Sequence, residues 1–137
     1  MRHADWNAAD WSSLEDWLWG VDLFNAFYFW EAHEAWEGLW AAKQKDSLEK
    51  LFLQGLIQVA AALLKVHVGS LPGAVALSSE GLEKLERVAT EVESFMGLDP
   101  HRTGTAFRQY FGPLAERTLP KLDASVPVLE LARTSRG

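Results

Sequence analysis

The chain has 137 residues, a net charge of −6 and 48% hydrophobic residues, enough for one domain with a true hydrophobic core. The negative balance, with no basic stripe, excludes a general nucleic-acid binder, which must neutralise phosphates. The absence of cysteine excludes disulfides, thiolate metal sites and cysteine nucleophiles, and it fits a cytoplasmic setting.

The start of the chain, Met1-Arg2-His3-Ala4-Asp5-Trp6, lacks the apolar core of a signal peptide. Residues 1–12 read as irregular. Ser13-Leu14-Glu15-Asp16 has the form of a capping box, so the first helix is expected from about Leu14 to Ala26. Leu14, Trp17, Leu18, Val21 and Phe24 recur along it at helical spacing.

A second helix is expected over Phe29–Lys43, ended by a polar loop. Ser47 is a good N-cap, and a third helix follows over Lys50–Val68. Apolar residues surround almost its whole circumference, which predicts a buried central helix. Its longest apolar stretch, Leu56–Val68, contains Gln58, Lys65 and His67 and reads as too short and too polar to span a bilayer. No membrane partner is expected.

Gly69-Ser70-Leu71-Pro72-Gly73 is a stop followed by a start. The fourth helix should run over Gly73–Met96, weakened near Ser78-Ser79 and Gly81. The fifth should run over Thr103–Thr118, split at Gly112-Pro113. From Leu119 the tail reads as extended. No segment alternates with period two. The expectation is an all-α, single-domain bundle of about five helices over residues 1–137.

The chemistry concentrates in Phe29–Trp40. At about 100° per residue, His33 and Glu37 share one face of the second helix with Phe29, Trp30, Trp36 and Trp40, and Glu34 lies at its edge. Gln54, Gln58 and Lys65 form a polar seam on the third helix. Buried polar groups need partners, so the two seams are expected to face each other, with His33 and Glu37 buried and Gln54 or Gln58 touching His33, Glu34 or Glu37.

Three readings of this cluster remain open. It is a structural network that fixes helix packing. Or it is a metal site for zinc or another divalent ion, with His33 and Glu37 as i, i+4 ligands and Glu34 as general base. Or it is a small-molecule pocket lined by tryptophan and phenylalanine. His67 lies about 140° from the polar seam of its helix and is a poor third ligand; His101 falls in a loop. All seven tryptophans lie within the first 40 residues, which predicts a partner or homodimer surface there if several are exposed.

Two segments together resemble the small helical domain-of-unknown-function 309 family. One is Phe24-Asn25 with Phe29-Trp30-Glu31-Ala32-His33-Glu34, Glu37 and Trp40; the other is Phe52-Leu53-Gln54-Gly55-Leu56-Ile57-Gln58-Val59-Ala60-Ala61-Ala62-Leu63, followed by Gly69 and Gly73-Ala74. The resemblance covers about residues 14–97. It implies a helical bundle around a buried central helix, with His33, Glu34, Glu37, Trp40, Gln54 and Gln58 as signature positions. Members often carry the label of metal-dependent hydrolase, which traces to the histidine–glutamate motif. Three positions depart from the family pattern. Phe27 stands in place of glycine, which predicts a less sharp break between the first two helices. Trp36 replaces a smaller aliphatic residue and would fill space near His33. Ser70 stands in place of asparagine.

Overall fold

A computed structural model describes residues 6–133. They form five α-helices: α1 (Glu15–Asn25), α2 (Phe29–Ala41), α3 (Leu48–His67), α4 (Leu71–Glu91) and α5 (Pro100–Tyr110). Short 3₁₀ helices precede α1 (Ala8–Ser13) and follow α5 (Gly112–Glu116). Among the described residues there is no strand, only an isolated bridge between Phe95 and Leu98. The all-α expectation holds. Each helix packs on the next in sequence, which places α3 between α2 and α4. The irregular start expected over residues 1–5 and the extended tail expected over 134–137 lie outside the described residues.

The capping box does not form. Ser13 is taken into the 3₁₀ helix and its Oγ donates to the Asp10 carbonyl at 3.1 Å, so Leu14 caps α1 without a side-chain bond. Residues 6–12 are therefore less irregular than expected, and Trp6 is buried. Ser47 does cap α3, accepting from the Lys50 amide at 3.2 Å.

The break between α1 and α2 is sharp, contrary to expectation. Phe27 sits at φ 71°. The Tyr28 amide donates to the Leu23 carbonyl at 2.8 Å and the Phe27 amide to Phe24 at 3.0 Å. This pair of bonds is a Schellman motif, which needs a left-handed residue at its turn. Gly69 makes the same motif after α3 at φ 78°, with Ser70 donating to Lys65 at 2.8 Å. Phenylalanine thus adopts the conformation that glycine takes without a steric penalty.

Helix α4 is not broken at Ser78-Ser79 or Gly81, but it ends five residues early, at Glu91. Val92 is extended, and Phe95 and Leu98 close a two-residue turn through Met96 (φ 50°) and Gly97 (φ 82°). Gly81 has a packing role. A Cβ there would meet the Gly55 carbonyl at 2.8 Å, so the two glycines let α3 and α4 cross closely. Helix α5 starts earlier than expected because Asp99 caps it, accepting from the Arg102 amide at 3.0 Å. The Gly112-Pro113 split appears as expected.

The core joins Trp17, Phe24, Trp36, Phe52, Leu56, Leu63, Leu85 and Phe107, all nearly inaccessible. Trp36 fills no pocket beside His33. Its ring lies over Gly20 of α1, where a Cβ would come within 2.1 Å of the indole nitrogen. The ring packs 5.6 Å from Trp17 and 6.0 Å from Phe24. Helix α3 is not buried all round: Leu51, Gln54, Ile57, Gln58, Ala61 and Leu64 form a half-buried stripe. By length and composition alone α3 could cross a membrane, and half of its apolar window is buried inside the bundle. The tail packs back on the helices through buried Val126 and Leu129.

Candidate functional site

The core-facing edge of α2 is Phe29, Ala32, Trp36 and Leu39. Because Trp36 takes the central slot, His33, Glu37 and Trp40 are rotated to the flank of the helix. His33 Nε2 lies 2.8 Å from Glu37 Oε2, and their side chains are 21% and 58% exposed. The pair is real, but the expectation that both are buried fails for Glu37. An exposed i, i+4 pair of this kind contributes about 0–1 kcal/mol. The Trp30 ring covers His33 at 5.1 Å between centroids.

The seams of α2 and α3 meet at one end only. Lys50 Nζ lies 4.1 Å above the Trp40 ring and donates to the Lys43 carbonyl at 3.3 Å. Gln58 turns away from α2: its Nε2 donates to Glu80 Oε1 of α4 at 3.2 Å. Gln54, half-buried, shows no hydrogen bond among the described residues. The expected direct hydrogen bond of a glutamine to His33, Glu34 or Glu37 does not form among the described residues, because the polar line of α3 runs from the α2 side at Lys50 to the α4 side at Gln58. Among the described residues, three buried polar atoms lack a hydrogen-bond partner: His33 Nδ1, Trp40 Nε1 and Gln58 Oε1. All three belong to signature positions.

Zinc requires at least three protein ligands in one place. No group of three His, Asp or Glu side chains able to hold a metal occurs among the described residues. His67 and His101 are exposed on other elements. Glu34 lies beyond the pair, in a cleft between α1 and α2 that includes neither His33 nor Glu37. The residues therefore do not fit a metal centre with Glu34 as its base, and no step is derived through one.

That cleft is the feature sequence reasoning passed over. Asp16, Trp19 and Leu23 line it from α1; Glu31, Glu34, Ala35 and Gly38 line it from α2. Each set recurs at i, i+3/i+4 and i+7, one stripe per helix. Glu31 and Glu34 have no ion-pair partner among the described residues. Exposed aromatics cluster around this hairpin: Trp19 is 58% exposed, Tyr28 55%, Trp30 54% and Phe27 39%. The signal was legible. Between His3 and Ala42 there is no lysine or arginine, and α1 with α2 carries six carboxylates. The whole chain nets −6, so the residues outside these two helices balance to zero.

A compact helical bundle whose first three helices carry the His-Glu and Gln-Gly motifs defines a class of small all-α domains. Residues 17–77 match the family model described as Domain of unknown function (DUF309). Over that segment the chain is similar to this family, and the match spans most of α1, all of α2 and α3 and the first turns of α4. No curated protein matches the chain.

Proposed function

We propose that this protein is a binding module that recognises a protein partner through the outer face of the α1–α2 hairpin. One observation carries the reading: Trp19, Tyr28 and Trp30 are each more than half exposed on adjacent helices and their connecting turn. Large aromatic side chains left in water at one place are the usual anchors of an interface. The structural readings of His33, Glu37, Trp40 and Gln58 fit the same picture. His33–Glu37, Lys50–Trp40 and Gln58–Glu80 brace α2, α3 and α4 behind the presented face. Recognition surfaces work best on rigid elements.

The test is site-specific photocrosslinking in the source cell. A benzophenone side chain at Ala35, inside the cleft, is expected to yield a defined adduct, and one at Glu83 on the exposed face of α4 is not. Trp19→Ala/Trp30→Ala should remove the adduct while the circular dichroism spectrum stays native. Equal adducts from both positions, or an adduct indifferent to the double substitution, would refute the reading.

A further inference from the structure

The cleft between α1 and α2 has both a shape and a sign. Its walls are two antiparallel helical stripes, and its floor is kept low by Ala35 and Gly38. Small residues in such a groove let a third helix approach closely, and an amphipathic helix laid into a groove is a recurring mode of recognition. Trp19 offers an indole face at one wall. Glu31 and Glu34, with no ion-pair partner among the described residues, offer carboxylates at the other. An aromatic face beside free carboxylates is the chemistry that selects a lysine or arginine side chain.

The charge of the surroundings points the same way. Glu15, Asp22, Glu31 and Glu34 stand on α1 and α2, two helices whose sequences contain no lysine or arginine. A surface of one sign steers partners of the opposite sign and repels phosphate-rich ones. Anionic lipid and nucleic acid are both disfavoured here.

We infer that the occupant of this cleft is a basic amphipathic helix of a partner protein, one of whose lysine or arginine side chains lies over Trp19 between Glu31 and Glu34. This rests on the proposed binding role of the hairpin and adds the chemistry of the partner.

The experiment uses the full chain and two synthetic peptides about four turns long, one of lysine and leucine, the other of glutamate and leucine in the same pattern. Binding is read by fluorescence anisotropy at low and high salt. The lysine peptide should bind, weaken at least about tenfold in high salt, and bind at least about tenfold more weakly to Glu31→Lys/Glu34→Lys. The charge-matched Glu83→Lys/Glu91→Lys, on α4, should bind like wild type. Equal binding of the glutamate peptide, equal loss with the α4 variant, or no binding of the lysine peptide overturns the inference. The photocrosslinking separates the two levels. If the Ala35 adduct is lost in Trp19→Ala/Trp30→Ala but survives Glu31→Lys/Glu34→Lys, the binding role stands and the basic partner falls. If neither variant changes it, both fall.

Discussion

Asn25 holds the backbone of Leu129 at two points. Its Nδ2 donates to the Leu129 carbonyl at 3.0 Å, and the Leu129 amide donates to its Oδ1 at 2.7 Å. The side-chain amide thus imitates a paired strand and ties the C-terminal tail to the end of α1. Leu129 is buried beneath it. Asn25→Ala leaves a backbone donor and acceptor unpaired, at a cost of about 1–3 kcal/mol. The expected result is a lower unfolding free energy with faster proteolysis of residues 117–133. Native proteolytic resistance in the variant would show that Val126 and Leu129 hold the tail without the clamp.

Phe27 occupies a left-handed position that costs a non-glycine residue about 1–2 kcal/mol. Glycine would remove that strain and give back part of the gain as chain entropy, about 0.5–1 kcal/mol. Phe27→Gly is therefore expected to stabilise the protein by about 0.5–1 kcal/mol, seen as a higher urea midpoint. A lower midpoint would mean that the ring contact with Phe29, at 5.4 Å between centroids, outweighs the strain.

The close seat of Trp36 on α1 gives a sharper contrast. Gly20→Ala places a methyl group 2.1 Å from the indole nitrogen, and overpacking of a closed core costs about 1–3 kcal/mol. Gly104→Ala meets nothing within 4 Å and should be neutral or stabilising, since alanine favours helix by about 1 kcal/mol over glycine. Thermal melts that ranked the two variants the other way would contradict the packing described.

Tyr110 supplies the pH dependence. Burial, with the Asp123 carboxylate nearby, pushes its phenol up to about 12 from 10, and its hydroxyl donates to the Lys121 carbonyl at 2.8 Å. The folded state therefore holds this proton more tightly than the unfolded state. Its stabilising effect is complete below pH 10 and is lost as pH rises from about 10 to 12. Tyr28→Phe leaves Tyr110 as the only tyrosine, so an ultraviolet titration of that variant should show one phenol ionising near 12. Ionisation near 10 would contradict the environment described, and Tyr110→Phe should flatten stability across the same range.

The helices were legible because apolar periodicity and the Ser47 and Gly69 signals are local. The pairing of His33 with Glu37 was legible for the same reason. Local spacing could not show that Trp36 would claim the core slot through Gly20, nor that Gln58 would turn to Glu80, because both depend on neighbours from other elements. The Phe27 turn was misjudged because the hydrogen bonds of the Schellman motif outweigh the preference of one residue. The Asn25 clamp joins residues 104 positions apart, and no pattern in one sequence marks it. The unbroken acidity of residues 3–42 was readable and was missed because charge was considered for the whole chain.

The tryptophans divide by environment: Trp17 and Trp36 pack inside the core, and Trp19 faces outward, where we propose that it anchors a partner. Trp17 is fully buried, packs 5.6 Å from both Trp36 and Phe52 and donates to the Met96 carbonyl at 3.1 Å. Trp19, two residues on, is 58% exposed. Equilibrium urea unfolding of Trp17→Ala and Trp19→Ala tests the division most directly. Trp17→Ala should lose about 3–5 kcal/mol, and Trp19→Ala should stay within about 0.5 kcal/mol of wild type. A loss of several kcal/mol in Trp19→Ala would make that residue structural and would contradict its proposed role as a recognition anchor.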